Sequence, residues 1–135
     1  MFTYLANTVE LKNTVIPSTV ATSSAAVNGT AVDLANYDAA VLVTLYTSIL
    51  SAGTAVVTVE ESSTGSSAWT TVAASAIVDP DTGVATAFTT PGAAIVNQTL
   101  AVKKEGLKRY LRVTITPTGA TGSWTAYITG FKRNY

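Results

Sequence analysis

Two pairs of carboxylates are the residues whose types and spacing come nearest to chemistry. Glu60 and Glu61 are adjacent, and successive side chains of a strand point to opposite faces, so the two cannot act on one substrate. Asp79 and Asp81 lie in the segment DPDTG (79–83), where a calcium loop requires further oxygen ligands at its fifth and twelfth positions. Gly and Thr stand there, so the segment is predicted to be a tight turn and not a metal site.

The chain offers no general base for a nucleophile. It contains no histidine and no cysteine, so the commonest general base, the commonest metal ligand and every thiol are missing. Its serine and threonine hydroxyls lack the partner that would activate them, apart from a Ser–Lys pair that no spacing indicates. We predict that the protein is not an enzyme and binds no cofactor. The enzyme alternative requires a pocket with converging polar groups.

Basic residues are concentrated at the C-terminal end of the sequence. Residues 101–135 hold seven basic residues and one acidic residue, whereas residues 1–100 hold seven acidic residues and one basic residue. Strand surfaces that bind nucleic acid combine basic and aromatic side chains in this way. A net charge of zero and a pI near 6.1 instead favour a solvated or protein-facing surface, with no direct binding of nucleic acid. The basic cluster consists of Lys103, Lys104, Lys108, Arg109, Arg112, Lys132 and Arg133.

This charge asymmetry has two interpretations, between which the sequence does not decide. Oppositely charged surfaces can meet different neighbours in an assembly, or the acidic and basic parts can pair within one fold. In the first interpretation the basic C-terminal strands help to set the docking on a partner. The candidate partner-binding residues in these strands are Lys103, Lys104, Arg109 and Arg112.

Two tryptophans are the remaining candidates for binding. An exposed indole can stack on a sugar ring, so Trp69 and Trp124 define a carbohydrate-binding alternative. Buried tryptophans are the more common case in β-sandwiches, and we predict that both lie in the core. The other predicted core residues are Val57, Val59, Leu111, Val113 and Ile115.

The elements that must position these residues are short β-strands. Residues 37–73 contain three Val- and Thr-rich runs separated by Ser, Thr and Gly, which is the pattern of strands bounded by turns. Both alternating sets of residues 40–47 are largely apolar, which predicts a central strand covered on both faces. Residues 109–116 alternate cleanly between apolar and polar side chains, so one face of that strand is buried. Further strands are predicted at 31–34, 55–61, 84–89, 100–103 and 123–131, and from Trp69 onward.

Around eight short strands separated by turns predict an all-β protein, an antiparallel β-sandwich of the jelly-roll type. We place this domain at residues 25–135. Residues 1–24 do not share the pattern and are predicted to form an extended N-terminal arm or edge strand followed by a linker. Phe2, Tyr4 and Leu5 would anchor the arm on a neighbouring subunit by strand addition. No segment resembles a secretory signal or a membrane span.

The composition indicates a surface that something else covers. Hydrophobic residues make up 47% of the chain and charged residues only 12%, against about 25% charged residues in typical domains. The central parts of protein interfaces are depleted in charge. Copies of the same chain or a larger assembly would account for this composition. A small, well-buried β-domain with a Thr- and Ser-rich polar face is the alternative.

Three segments occur together in an order that resembles a known group of proteins. They are VNGTAVDLANYDAAVLVTLY (27–46), VEESSTGSSAWTTV (59–72) and KRYLRVTITPTGATGSW (108–124). In this combination the chain resembles small virion proteins of tailed bacteriophages, across residues 27–131. The resemblance implies a β-sandwich or jelly roll that decorates or cements a capsid, often as a trimer. It carries over no functional residue, because such proteins act through surface complementarity.

From the resemblance we expect a capsid decoration, or cement, protein. It would be made in the host cytoplasm and lie on the capsid surface of the virion, where it binds the major capsid protein and bridges neighbouring subunits against internal DNA pressure. A homo-oligomer is expected, with a trimer favoured. Two alternatives stay open: another virion component, such as a tail, neck or head-fibre subunit, and a carbohydrate-binding β-sandwich.

Overall fold

Ten β-strands account for most of the structure. The computed structural model describes residues 9–20, 25–38, 40–47, 53–89, 96–119 and 122–131. Five strands form sheet A in the order β1 (Val9–Val20), β10 (Gly122–Phe131), β4 (Ala40–Thr47), β8 (Val96–Lys103) and β7 (Ile77–Val78). Sheet B has the order β2 (Val27–Asn28), β9 (Tyr110–Thr118), β5 (Thr54–Ser62) and β6 (Thr70–Thr71), and β3 (Val32–Asp33) also pairs with β9. Two short 3₁₀ turns, Leu34–Asn36 and Ala74–Ala76, complete the described elements.

The strand pairings are nested in sequence. The outermost pair is β1 with β10, followed by β2 with β9, β4 with β8, and β5 with β6 at the centre, and all four pairs are antiparallel. Pairing of β10 with β4 and of β9 with β5 then joins these hairpins into two sheets. A long antiparallel hairpin rolled into two packed sheets is the jelly-roll arrangement, so the predicted fold class is confirmed.

The core lies between the two sheets and is filled by alternate residues of the long strands. On β9 the inward residues Leu111, Val113 and Ile115 are fully buried, as the clean alternation of this strand predicts. Val43 and Leu45 of β4, in sheet A, are also fully buried. The further large buried side chains of the cluster are Val32, Leu34, Tyr37, Val41, Val59, Leu100, Val102, Trp124 and Ile128.

Two strand predictions differ from the structure. The predicted strand at residues 84–89 is absent, because only Ala85 makes an isolated bridge, to Val78, and the amide of Thr89 donates to the Gln98 side chain instead of to a strand. Residues 40–47 do form a central strand, β4, between β10 and β8. Its outer face, however, is not covered by the described chain, since Leu42 is 39% and Tyr46 45% exposed.

The prediction of Trp69 as a core residue is wrong. Trp69 is only partly buried and does not belong to the core cluster. It ends the Ser- and Thr-rich loop before β6, and its ring lies against Arg112, which points outward from sheet B. The apolar side chain was therefore covered by a guanidinium group at the surface instead of by the opposite sheet. Val57 packs at the margin of the core, and Val59 and Trp124 lie inside it as predicted.

Candidate partner-binding surfaces

Three of the predicted partner-binding residues meet at one end of the sandwich. Lys103 is the last residue of β8, Lys104 follows it, and Arg109 immediately precedes β9. We call this connection, residues 103–109, the basic end. A shallow depression of about 230 Å³ lies here, lined by Ala40, Lys103, Lys104 and Glu105. The depression is open to solvent and does not enclose a ligand-sized volume.

Lys104 is tied to the fold by its ammonium group. Its Nζ donates a hydrogen bond of 2.6 Å to the carbonyl oxygen of Tyr37, whose side chain is buried in the core. This bond joins the basic end to the segment that leads into β4. Lys103, by contrast, is exposed at the end of its strand. Among the described residues neither lysine forms an ion pair.

Arg109 is neutralised by Asp33 of β3. The guanidinium donates from Nε to both carboxylate oxygens at 3.1 Å and from a terminal nitrogen to Oδ2 at 2.7 Å. Arg109 is the largest cause of the lowered pKa of Asp33, whose Oδ1 also accepts the amide of Ala35 at the start of the first 3₁₀ turn. The arginine side chain is 58% exposed and lies over the Tyr110 ring, so the pair is a surface feature.

Arg112 lies outside the basic end, on the outer face of sheet B, where it is the third residue of the central strand β9. Its Nε donates to Glu60 Oε2 at 2.8 Å, and the same oxygen accepts the hydroxyl of Thr114 at 2.7 Å. Both charged side chains are mostly shielded, at 17% exposure for Arg112 and 20% for Glu60. The guanidinium carbon lies 4.2 Å from the centre of the Trp69 ring, which adds a cation–π contact.

These contacts show which of the two interpretations of the charge asymmetry applies to the residues involved. Asp33 and Glu60 belong to the acidic part of the sequence, and their partners Arg109 and Arg112 belong to the basic part. A third acidic residue, Glu61, accepts the backbone amide of Lys108 at 2.8 Å. The acidic and basic parts therefore pair within the fold at these positions. Of the four basic residues predicted to bind a partner, the two arginines are already engaged by carboxylates of the same chain.

The predicted arm is described only in part. Phe2, Tyr4 and Leu5 lie outside the described residues. Val9–Val20, the next part of the predicted arm, form β1 at the edge of sheet A and pair with β10, with irregular register near Val15. Val9 pairs with Phe131, at the end of the sandwich where the basic end also lies.

The outer face of sheet A is a surface that the sequence did not single out. Among the described residues, five large hydrophobic side chains are exposed, and three of them lie here: Leu42, Tyr46 and Phe131, the last at 61% exposure. Cross-strand pairing brings Tyr46 opposite Thr125 and Leu42 opposite Thr129. We call this surface the Tyr46 face. Its outward residues are Leu42, Thr44 and Tyr46 of β4, Asn97, Thr99, Ala101 and Lys103 of β8, and Ser123, Thr125, Tyr127, Thr129 and Phe131 of β10.

The signal for this face was present in the sequence, as the apolar character of both alternating sets in residues 40–47. The pattern correctly placed the strand at the centre of a sheet. It could not tell whether the second apolar set is covered by the same chain or by another molecule, because both environments favour the same residues.

The two tryptophans present little open ring surface on which a carbohydrate could stack. Trp124 is buried in the core, and its indole nitrogen has no hydrogen-bond partner among the described residues. One ring face of Trp69 is occupied by Arg112. Stacking on a sugar requires an open ring face, so the described geometry leaves at most the other face of Trp69.

The segment at residues 79–83 forms the predicted turn. Asp79 Oδ1 accepts hydrogen bonds from the amides of Asp81 and Thr82 and from the Thr82 hydroxyl, and these bonds lower the pKa of Asp79. Within the part of the chain that the structure describes, no three His, Cys, Asp or Glu side chains come together to hold a metal ion. Nor does any helix in that part have the length and apolar character to cross a membrane.

Comparison of the chain with protein-family models, with curated proteins and with solved structures found no match.

Proposed function

We propose that this protein is a virion structural protein, a capsid decoration (cement) protein that binds the outer surface of a phage head. It bridges neighbouring copies of the major capsid protein and stabilises the shell against the pressure of packaged DNA. The protein acts as a homo-oligomer, with a trimer favoured, and lies on the capsid surface after synthesis in the host cytoplasm.

The observation that carries this proposal is the Tyr46 face, a sheet surface of exposed apolar and hydroxyl side chains that is almost uncharged. Leu42, Tyr46 and Phe131 are exposed on it, and a monomer in water gains nothing from this exposure. A face of this kind is typical of a protein that works by contact with other proteins. The jelly-roll fold adds weaker support, since it is used in viral capsid domains but also in lectins and cupins.

The other users of the jelly roll fit the chain less well. Cupin chemistry commonly relies on metal-bound histidines, and this chain has no histidine. A lectin requires an open aromatic or polar site, whereas Trp124 is buried and Trp69 is stacked by Arg112. A tail, neck or head-fibre subunit would present similar surfaces, so the position in the virion separates that alternative.

The test is co-sedimentation of the purified protein with purified heads of a tailed phage whose genome encodes it, followed by a density map of the loaded heads. We expect saturable binding in a fixed ratio to the major capsid protein and new density on the outer surface. Loaded heads should also release their DNA at a higher temperature than bare heads. Density confined to the tail or neck would assign the protein to that component instead, and absence from the virion would overturn the proposal.

The role of the arm is tested with point variants, because deletion beyond residue 8 would remove part of β1. Substituting Phe2, Tyr4 and Leu5 together by serine should weaken head binding and leave thermal unfolding of the free protein unchanged. The pair Lys103→Glu and Lys104→Glu tests the basic end in the same assay. Unchanged head binding in both sets would remove these residues from the docking surface.

A further inference from the structure

The Tyr46 face differs from the outer face of sheet B in its lack of charge. On the outward side of β4, β8 and β10, Lys103 is the only charged residue among those described, and it lies at one corner of the face. The centre is formed by hydroxyl and apolar groups, including a hydrogen bond of 2.9 Å between the hydroxyls of Thr44 and Thr99. Removing such a surface from water strips no ion of its hydration.

The outer face of sheet B, by contrast, carries charged side chains. Its centre carries the Arg112–Glu60 ion pair, with Trp69 over the arginine. Burying that face against another protein would require further desolvation of a charged pair, which opposes association. Of the two sheet faces, the one in sheet A is therefore suited to be covered.

We propose that the Tyr46 face is the surface through which copies of this chain associate with one another. The inference rests on the homo-oligomer in the proposed function and names the surface that forms it. The occupant of the face is a second copy of the same chain, so that β4, β8 and β10 of one copy pack against sheet A of the next.

Charge and hydrogen-bonding chemistry favour a second copy as the occupant. An uncharged face meets its own copy without repulsion, whereas a strongly acidic or basic partner would find no opposite charge at its centre. Threonine and tyrosine hydroxyls both donate and accept hydrogen bonds, so a face rich in them is complementary to itself. The single charge, at Lys103, falls at the rim, where water can still reach it.

The area of the face is that of a small contact. β4 and β8 each contain eight residues, which corresponds to about 27 Å along the strands at ~3.4 Å per residue. The three strands of the face, β10, β4 and β8, span about 14 Å at ~4.8 Å per strand. The flat projection is thus about 390 Å² per copy, or about 780 Å² for two copies, which is the size of a weak or transient interface.

The experiment measures the solution mass of the purified protein by light scattering and sedimentation equilibrium, in the absence of any capsid. The test variant carries Leu42→Lys and Tyr46→Lys on the Tyr46 face. The matched control is Val56→Lys, at a residue of similar exposure (48%) on the outer face of sheet B. Protein is used at about 100 μM, where an interface with a micromolar dissociation constant is nearly saturated.

We expect the wild type and Val56→Lys to have a mass of at least twice the 13.9 kDa of one chain. The Tyr46-face variant should be a monomer, with association weakened at least about 100-fold by buried like charges. Circular dichroism and thermal unfolding verify that each variant is folded. If the double variant does not fold, Phe131→Lys at the exposed end of β10 replaces it in the same measurement.

Two outcomes would overturn the inference: a monomeric wild type, or an unchanged mass in the folded Tyr46-face variant. Because the measurement contains no capsid, it is independent of the head-binding test. An oligomer that fails to bind heads would refute the decoration role and leave the inference standing. A monomer that binds heads would refute the inference about the Tyr46 face and support the decoration role.

Discussion

At the scale of single residues, the carboxylates of Glu60 and Asp33 form hydrogen bonds and ion pairs that join parts of the fold. Glu60 Oε2 holds both Arg112 and Thr114, and Asp33 holds Arg109 while also accepting the amide of Ala35. The two ion pairs differ in their access to solvent, since Arg112 and Glu60 are mostly shielded and Arg109 is mostly exposed. Shielded pairs are less screened by water and salt, so the two pairs should contribute differently to stability.

We predict that Arg112→Leu lowers the free energy of unfolding by about 1–3 kcal/mol, because it leaves the shielded Glu60 carboxylate without its charged partner. The measurement is urea unfolding near neutral pH. Arg109→Leu is the matched control and should produce a smaller loss. In a double-mutant cycle, adding Glu60→Gln should recover part of the loss. Equal effects of the two arginine substitutions would show that shielding does not distinguish the pairs.

The Asp33–Arg109 pair predicts a dependence of stability on pH. The pKa of Asp33 is lowered in the folded state, mainly by its hydrogen bonds with Arg109. Its contribution to stability is therefore complete above the unfolded pKa of about 4 and is lost as the pH falls through the lower, folded pKa. Asp33→Asn keeps a side chain that can cap the 3₁₀ turn but removes the charge.

Urea midpoints measured between neutral pH and pH 2 should thus fall more steeply for the wild type than for Asp33→Asn. The two curves should approach each other at the acidic end. Parallel curves over the whole range would mean that Asp33 titrates alike in the folded and unfolded states.

At the scale of elements, the loop between β5 and β6 determines where Trp69 lies on the surface. Ser62 Oγ accepts the amides of Thr64 and Gly65 and donates to the carbonyl of Ser67, which fixes the loop from inside. Gly65 has φ of +75°, and the Tyr110 ring lies directly beside its Cα, since a Cβ there would fall 2.9 Å from the ring. The loop thereby places the Trp69 ring against Arg112 on the outside of sheet B.

We predict that Gly65→Ala destabilises the protein more than Gly83→Ala, by about 1–3 kcal/mol in the free energy of unfolding. Both glycines have positive φ, so both substitutions introduce similar backbone strain. Only at Gly65 does the new methyl group also meet a neighbour, since nothing lies within 4 Å of the corresponding position at Gly83.

Urea unfolding of the two variants measures this difference. In a Tyr110→Ala background the excess at Gly65 should disappear, because the ring that opposes the methyl group is gone. An excess that persists in this background would assign it to the loop backbone and not to the packing of Tyr110.

At the scale of the whole molecule, the outer faces of the two sheets differ in the charged residues that they carry. Sheet B carries a neutralised ion pair at its centre, and sheet A carries the Tyr46 face with Lys103 at a corner. Association through the Tyr46 face should therefore depend on apolar burial and hydroxyl contacts, whereas association through the basic end would depend on attraction between charges.

We predict that raising the NaCl concentration from about 0.1 M to about 1 M, which shortens the screening length from ~10 Å to ~3 Å, leaves the oligomer intact. Sedimentation equilibrium at both concentrations measures the association constant. Apolar association is unaffected or strengthened by salt, so the constant should not fall. A decrease of tenfold or more at high salt would indicate that Lys103 and Lys104 of the basic end form the contact instead.

The sequence by itself determined the fold class, the positions of the long strands and the inward face of β9. It did so because alternation of apolar and polar residues is a local property, and Leu111, Val113 and Ile115 had to share one buried side. The nested order of hairpins fits the series of turns between short strands. The sequence also shows that no imidazole or thiol side chain is present to act as a base, nucleophile or metal ligand.

Only the tertiary structure decided which partners these residues meet. Arg112 and Glu60 are 52 residues apart in sequence, and their pairing depends on the register of β5 against β9. The pairing of β6 with β5 places Trp69 on the outside, against the guanidinium group of Arg112, although its residue type favours the core. The outer face of β4 was left without cover by the described chain for a similar reason: a sheet has two sides, and the second sheet of a sandwich can cover only one of them.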